Sequence, residues 1–278
     1  MTNEAIGIIA GGGQFPYLFA EAARREGRRV VIIAHEGETA PELVEVADAL
    51  YWVKLGQLGK ILKYFKKEQV AETVFLGTIT KTRIFRDVMP DLKGLSLWNR
   101  IRVKQDDAIL RAFADELEHQ GIAVRESTLY LKELLFPQGV LGRQRPSQDQ
   151  VDDIRFGWKI AREIGRLDIG QSVVVRNGTV LAVEAIEGTD AAIRRGGQLG
   201  REKTVVVKLR KPGQDFRFDL PAIGITTIDS MREVKAAVLA VEAGHALLFD
   251  RENTIRHADR AGIAVVGIAE QPDGSLRF

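Results

Sequence analysis

Two patterns of apolar and polar residues alternate along the first half of the chain. Continuous apolar runs predict strands buried on both faces, and apolar positions recurring every three or four residues predict amphipathic helices. The predicted strands are residues 5–10, 29–34, 50–54, 72–76 and 122–124, and the predicted helices are residues 17–26, 58–67 and 106–120. Because strands and helices alternate, we expect a Rossmann-like parallel sheet covered on both faces.

This alternation stops at residues 132–150, where prolines, glycines and polar residues cluster. We therefore expect a Rossmann-like N-terminal domain at 1–131, a linker at 132–150, and a catalytic α/β domain with a mixed sheet at 151–278. In that second part, Asn177-Gly178 between β-branched runs predicts a hairpin. The other predicted elements are strands at 203–209, 246–249 and 263–268 and helices at 151–164, 190–196, 227–240 and 252–261.

Composition narrows the class of protein. The 278 residues include 45% hydrophobic ones, enough for two cores, and 40 Lys and Arg nearly balance 38 Asp and Glu. The net charge of +2 gives no general argument for nucleic-acid binding. The chain has no cysteine, which excludes disulfides and cysteine nucleophiles and favours the cytoplasm. We expect no signal peptide and no membrane span.

The first predicted strand runs into a glycine-rich turn, in the stretch GIIAGGGQFP. Such a turn before a helix brings backbone N–H groups toward phosphate in many α/β proteins. Gly11, Gly12, Gly13 and Gln14 are therefore candidate substrate-binding residues. The dinucleotide motif G-x-G-x-x-G fits badly, because Pro16 replaces its third glycine. A nucleotide-dependent oxidoreductase stays open as an alternative.

A second strand-to-helix transition, EAIEGTD at residues 184–190, is rich in carboxylates. A helix N-terminus beside carboxylates can hold a metal ion and the phosphates that it bridges. Simple capping of the helix by Gly188 or Thr189 is the alternative, and it needs no ligand.

The predicted strand at 203–209 carries two lysines. Lys203 and Lys208 lie five residues apart, so their side chains point to opposite faces. One of them is expected to face the core or a ligand, although protection of a sheet edge is an equal alternative.

The following stretch, QDFRFDLPAIG at 214–224, is interpreted as another strand. A period of two places Asp215, Arg217 and Asp219 on one face, where three charges need partners. Asp219 is the most interesting of the three, and a surface ladder of ion pairs is the alternative.

Missing motifs narrow the chemistry. The four histidines are far apart in sequence, and there is no G-x-S-x-G elbow and no P-loop. The remaining carboxylates and lysines are best suited to attack by water on phosphorus, with Mg²⁺ and lysine neutralising the developing charge.

Three motifs in order, GIIAGGGQFP, EAIEGTDAAIRRGG and VVVKLRKPGQDFRFDLPAIG, resemble the LpxI-type UDP-2,3-diacylglucosamine pyrophosphatases of lipid A synthesis. The similarity runs along the whole chain. It implies a two-domain, Mg²⁺-dependent enzyme that holds the acylated sugar between its domains. Water would attack the α-phosphorus of UDP-2,3-diacylglucosamine to give UMP and 2,3-diacylglucosamine 1-phosphate (lipid X). A non-catalytic nucleotide-sugar binding protein is a further alternative.

Carried over onto this sequence, the resemblance assigns roles to the charged residues of the second half. It implies three catalytic or metal-binding carboxylates, with Lys208 as a further catalytic residue and Gly188, Thr189, Arg194 and Lys211 as substrate-binding residues. The three carboxylates are Asp219, Glu187 and Asp190.

The resemblance also implies contact with a membrane, because the acylated substrate lies in the inner leaflet. We expect a cytoplasmic protein that binds the inner membrane peripherally and forms a homodimer. The segment 81–89 offers apolar and basic residues for this contact, and a helix packed on the domain is its alternative.

Overall fold

The structure is a computed structural model that describes residues 4–79, 89–101, 106–218 and 220–278. Its contacts divide the chain into two compact units, one of residues 1–132 with 215–219 and one of residues 133–214 with 220–278. A short piece of the second half of the sequence therefore belongs to the first unit.

The first unit is built on a parallel sheet. Its five described strands have the order β3-β2-β1-β4-β5, and every neighbouring pair is parallel. The strands are β1 (Ala5–Ala10), β2 (Arg29–His35), β3 (Ala49–Val53), β4 (Glu72–Leu76) and β5 (Ala123–Val124). The helices are α1 (Phe15–Arg25), α2 (Leu58–Lys67), α3 (Leu92–Arg100) and α4 (Asp106–His119). The Rossmann-like parallel sheet is thus confirmed.

Apolar packing explains why residues 215–218 belong to this unit. Phe218 is fully buried and lies edge-to-face on Phe75 of β4, with ring centroids 5.3 Å apart. The predicted strand with charges on one face is wrong, since these residues form a turn. In that turn Arg217 pairs with Asp215 at 2.8 Å and with Glu118 at 2.8 Å.

The second unit contains a mixed sheet of order β14-β13-β11-β9-β7-β8, with β6 paired to β13. Its strands are β6 (Gly139–Leu141), β7 (Ser172–Arg176), β8 (Thr179–Val183), β9 (Val205–Lys208), β11 (Val238–Glu242), β13 (Ala264–Glu270) and β14 (Leu276–Arg277). A separate short sheet pairs β10 (Ala222–Ile223) with β12 (Leu247–Leu248). The helices are α5 (Gln148–Arg166), α6 (Thr189–Gly200), α7 (Ile225–Glu233) and α8 (Arg251–Ala261). The predicted second α/β domain with a mixed sheet is confirmed.

Two sequence expectations differ from this unit. The helix predicted at 227–240 ends at Glu233, and β11 follows as a central strand, parallel to both β9 and β13. Residues 132–150, expected as a linker, contain β6 and the start of α5, which Ser147 and Gln150 cap reciprocally. Among the described residues, no helix is long and apolar enough to cross a membrane.

Candidate active site

The register of the second unit's sheet brings two charged residues to one place. Strand β7 runs antiparallel to both β8 and β9, so the carboxyl ends of β8 and β9 lie at the same edge. At that edge Ser172 is paired in register with Lys208, and its carbonyl accepts the N–H of Glu184 at 2.9 Å. Glu184 and Lys208 therefore flank the first residue of β7.

Thr189, the first residue of α6, connects these two charges. Its hydroxyl donates to Glu184 Oε1 at 2.9 Å and accepts from Lys208 Nζ at 3.1 Å. Lys208 also donates to the carbonyl of Ala222 at 3.2 Å. We call Glu184, Thr189 and Lys208 the buried network.

Both charged members of the buried network are withdrawn from water. Glu184 is 7% exposed and Lys208 is 5% exposed. Glu184 Oε2 is enclosed and has no hydrogen-bond partner among the described residues. Burial of charged and unsatisfied polar groups is costly, which makes this network a candidate functional site.

The start of α6 adds unpaired backbone donors to the buried network. Gly188 is the N-cap residue at φ +84°, and none of the side chains that the structure describes caps the helix. Gly188 thus occupies the capping position, as the capping alternative expected, whereas the Thr189 hydroxyl bonds to Glu184 instead of capping the helix. Asp190 lies in the first turn. A helix N-terminus without a side-chain cap presents N–H groups and a positive dipole end to an anion.

Glu187, an expected metal ligand, has both carboxylate oxygens engaged. Oε1 accepts from Arg195 at 2.6 Å, and Oε2 accepts the N–H of Ala185 at 3.2 Å. The pKa of Glu187 lies below its ordinary value, first because its own backbone N–H bonds to it and then because of Arg195. These contacts describe a structural carboxylate.

The two other basic candidates are also paired with carboxylates. Arg194 lies 2.6 Å from Glu233, and Lys211 lies 2.6 Å from Asp168. Neither belongs to the buried network. Asp219 and residues 81–88 of the expected membrane segment lie outside the described residues.

The glycine-rich turn of the first unit uses its N–H groups internally. Gly11 donates to the carbonyl of Leu76 at 2.8 Å, and Gly12 donates to that of Thr78 at 2.8 Å. Gly13 follows at φ +88°, and Gln14 is the N-cap of α1 without a side-chain bond. Two of the expected phosphate donors thus hold the ends of β1 and β4 together.

Pro16 fits this turn because it stands in the first turn of α1, where the missing N–H costs nothing. The turn is also braced by a buried histidine that the sequence did not single out. His35 Nδ1 lies 2.9 Å from the carbonyl of Ala10, and Thr39 donates to the same carbonyl at 2.7 Å.

The side chains that could hold a metal ion are few in the described part of the chain. No group of three His, Asp or Glu side chains converges within the described ranges, which leave out Asp219. The enclosed Glu184 Oε2 is the carboxylate oxygen in the buried network that lacks a partner there. Mg²⁺ is often held by one or two carboxylates together with substrate phosphates. The described residues therefore offer one unpartnered carboxylate oxygen in the buried network, and any further ligands would have to come from the substrate or from Asp219.

Comparison with known families covers both units. Residues 5–134 match the LpxI N-terminal domain, and residues 137–266 match the LpxI C-terminal domain. The chain belongs to the LpxI family. A curated relative from Caulobacter vibrioides, named UDP-2,3-diacylglucosamine pyrophosphatase LpxI, is 38% identical over 277 residues. The match covers 96% of this chain and 98% of the relative.

Solved structures resemble the chain only weakly. The ADP complex of purK, an N5-carboxyaminoimidazole ribonucleotide synthetase, is 17% identical with a TM-score of 0.28. That match covers 63% of this chain and only 34% of the synthetase. The protein gox2253 is 9% identical with a TM-score of 0.30, over 74% of this chain and 72% of its own. Similarity at this level says nothing about function.

Within this LpxI-family chain, sequence reasoning overlooked Glu184. The residue stands three positions before Glu187 in the same motif, directly after the last residue of β8. The sequence signal that could have indicated Glu184 is its position, since a carboxylate directly after a strand lies at the edge of the sheet. Only the register with β7 and β9 shows that this residue, rather than Glu187, joins Thr189 and Lys208.

Proposed function

We propose that this chain hydrolyses the pyrophosphate of UDP-2,3-diacylglucosamine to UMP and 2,3-diacylglucosamine 1-phosphate. The carrying observation is the buried network at the uncapped start of α6, in a chain that belongs to the LpxI family. A desolvated ammonium next to free helix N–H groups is suited to a diphosphate, because both favour negative charge.

The proposed reaction is an attack of water on the α-phosphorus. The water oxygen forms a bond to phosphorus, and the bond from phosphorus to the bridging oxygen breaks. The bridging oxygen leaves with the sugar phosphate, and the proton of the water passes to a base. We assign that base role to Asp219, as the family resemblance implies.

Lys208 is proposed to neutralise charge on the diphosphate as that bond breaks. Its Nζ is fixed by Thr189 and by the carbonyl of Ala222, so little reorganisation is needed during the reaction. Preorganised donors in a water-poor site act more strongly than donors in bulk water. Gly188 leaves room beside the start of the helix, since it carries no side chain.

We also propose that the reaction uses Mg²⁺, held by Glu184, Asp190 and Asp219 together with the substrate. When bound, the ion would supply Lewis-acid polarisation of the phosphoryl oxygens. Glu184 takes the place that the motif comparison gave to Glu187, because the oxygens of Glu187 are already bonded to Arg195 and Ala185.

Exposed apolar side chains support an acylated substrate. Ile186, within the motif that holds the buried network, is 69% exposed, and Ile225 at the start of α7 is 37% exposed. In the first unit, Met89, Leu92 and Leu95 are exposed as well. We propose that these three contact the inner membrane peripherally, which flotation of the protein with lipid vesicles measures.

The central experiment combines labelled water with a substitution at Asp219. Hydrolysis in heavy-oxygen water is expected to place the label in UMP, and label found only in lipid X would contradict attack at the α-phosphorus. Asp219→Asn is expected to lower kcat by about 100- to 10,000-fold while substrate still binds, since it removes the base.

Asp215→Asn is the matched control, because Asp215 lies four residues earlier and pairs with Arg217. We expect it to keep most of the activity. If the parent protein bound UDP-2,3-diacylglucosamine but never turned it over with any divalent metal, the chain would be a binding protein.

A further inference from the structure

The second unit contains a surface cavity that lies apart from the buried network. It measures about 1020 Å³ and is lined by the loop after β6 and by α8. Four arginines line the cavity and make it basic: Arg143 from the loop, and Arg251, Arg256 and Arg260 from the helix. The cavity shares no lining residue with the buried network.

Among the described residues, the guanidinium groups of these four arginines form no salt bridge. In the described part of the chain, no carboxylate oxygen lies within 4.0 Å of any of the four guanidinium groups. Other arginines of the same unit are paired with carboxylates; they are Arg155, Arg162, Arg166, Arg194, Arg195 and Arg232. Arg145, Arg201 and Arg277 of this unit also have no carboxylate within 4.0 Å among the described residues, but the four cavity arginines line one concave site.

The two acidic residues in the cavity wall, Asp259 and Glu252, form no salt bridge with the four arginines. Asp259 Oδ1 accepts the backbone N–H of Arg143 at 2.7 Å and that of Gln144 at 3.3 Å, so it holds the loop. Glu252 precedes Arg256 by four residues, the spacing best suited to a helical ion pair, yet the pair does not form. Arg256 and Arg260 are also four residues apart, and like charges at this spacing destabilise a helix.

The backbone holds the loop firmly against the helix. Gly142 has φ +85°, and a Cβ at this position would lie 2.7 Å from Asp259 Oδ1. This close approach brings Arg143, which lines the cavity, next to α8. Val140, Leu141 and Ile255 supply apolar surface to the same cavity.

We propose that this cavity binds a phosphate ester. Guanidinium groups match the oxygens of a phosphate in bidentate fashion, and several of them around one concave site suit a compact, multiply charged anion. The volume is that of a site for a small molecule, and the apolar wall suits the carbon part of the ester. The phosphate belongs either to a soluble metabolite or to the headgroup of an anionic lipid.

Hydrogen exchange on the full chain tests this proposal with two probes. One probe is inorganic pyrophosphate, and the other is vesicles of phosphatidylglycerol compared with vesicles of phosphatidylcholine. We expect slower exchange in peptides covering residues 139–147 and 251–262. The variant Arg256→Gln/Arg260→Gln is expected to raise the half-maximal probe concentration by at least about tenfold, because it removes two guanidinium forks.

The control is Arg25→Gln/Arg277→Gln, which removes the same charge from two exposed arginines elsewhere. Protection by pyrophosphate that only the cavity variant weakens supports a soluble phosphate ester. Protection by phosphatidylglycerol vesicles alone, again weakened only by the cavity variant, supports a lipid headgroup. Absence of protection with both probes, or an equal loss in the control variant, overturns the proposal. Peptides containing Thr189 and Lys208 report separately on the proposed active site.

Discussion

Two strand-to-helix turns of this molecule differ in what their residues contact. The turn after β1 contains three consecutive glycines; the N–H of Gly11 bonds to the last residue of β4, Leu76, and the N–H of Gly12 bonds to Thr78 in the loop that follows. The turn after β8 contains one glycine, Gly188, at an uncapped helix start beside a buried glutamate and a buried lysine. The turn with more glycines therefore uses its N–H groups to hold the fold together, whereas the turn with one glycine lies beside buried charges.

The difference follows from what each glycine has to accommodate. A Cβ on Gly11 would lie 2.4 Å from the carbonyl oxygen of Thr78, and a Cβ on Gly77 would lie 2.4 Å from that of Gly12. Glycines there permit two backbones to touch. Around Gly188 a Cβ would meet nothing within 4 Å, although φ is positive. The fold instead bears the cost of burying charges next to it, which we attribute to function.

Substitution of Lys208 is expected to have the largest effect. Lys208→Met keeps an unbranched side chain but removes the ammonium of the buried network. We expect kcat for UDP-2,3-diacylglucosamine hydrolysis to fall about 100- to 1000-fold, the usual effect of losing one preorganised donor. Steady-state kinetics measures this, and circular dichroism verifies the fold.

Lys203→Met provides the control for that substitution. Lys203 is exposed and lies two residues before β9, so its loss should leave kcat close to the parent value. A folded Lys208→Met protein with parental kcat would mean that the buried network is structural, and the contrast between the two turns would disappear.

The second prediction concerns the glycines of the first turn. Gly11→Ala is expected to lower the free energy of unfolding by about 3 kcal/mol, because the new Cβ forces the two touching loops apart. Gly13→Ala should lower the free energy of unfolding by only about 1 kcal/mol. A Cβ at this position would have open space around it, so the substitution adds only the strain of a positive φ. Urea denaturation of both variants measures the difference.

The opposite ranking would contradict the packing explanation. If Gly11→Ala left stability unchanged but raised KM, the turn would contact substrate as the sequence suggested. That result would make the two turns alike.

Much of the fold was predictable because its signals are local. The strand at Ala5–Ala10 and the helix at Leu58–Lys67 lie at the predicted residues, since continuous and periodic apolar patterns were clear there. Strand β11 was missed because a central strand buried on both faces reads as a continuous apolar run, which merged with the preceding helix.

The candidate site was less predictable, because it depends on contacts between distant residues. The two-residue periodicity of a strand suggested a charged face at Asp215 and Arg217. These residues form a turn instead, and the neighbouring Phe218 packs in the first unit's core. Motif matching favoured Glu187, whereas sheet register brings Glu184 to Thr189 and Lys208. Burial and register are tertiary properties, so no local pattern reports them.

The smallest predicted effect concerns pH and the histidine beneath the first turn. Burial lowers the pKa of His35 below its ordinary value of 6.5, because the residue is only 7% exposed, and this effect outweighs the carbonyl of Ala10 and the charge of Glu38, which both raise the pKa. Below that ordinary value the unfolded chain binds a proton that the folded chain resists. Stability is therefore complete above about pH 6.5 and decreases as the pH falls toward the lower native pKa.

The His35→Gln variant separates this contribution from the remaining titrating groups. Between about pH 7.5 and pH 5.5, the parent protein is expected to lose more unfolding free energy than His35→Gln does. His119→Gln, at an exposed position, should follow the parent. Urea midpoints at the two pH values provide the measurement. Parallel losses in the parent and His35→Gln would show that the first turn does not depend on a neutral, buried imidazole, and its structural role would then rest on the glycines alone.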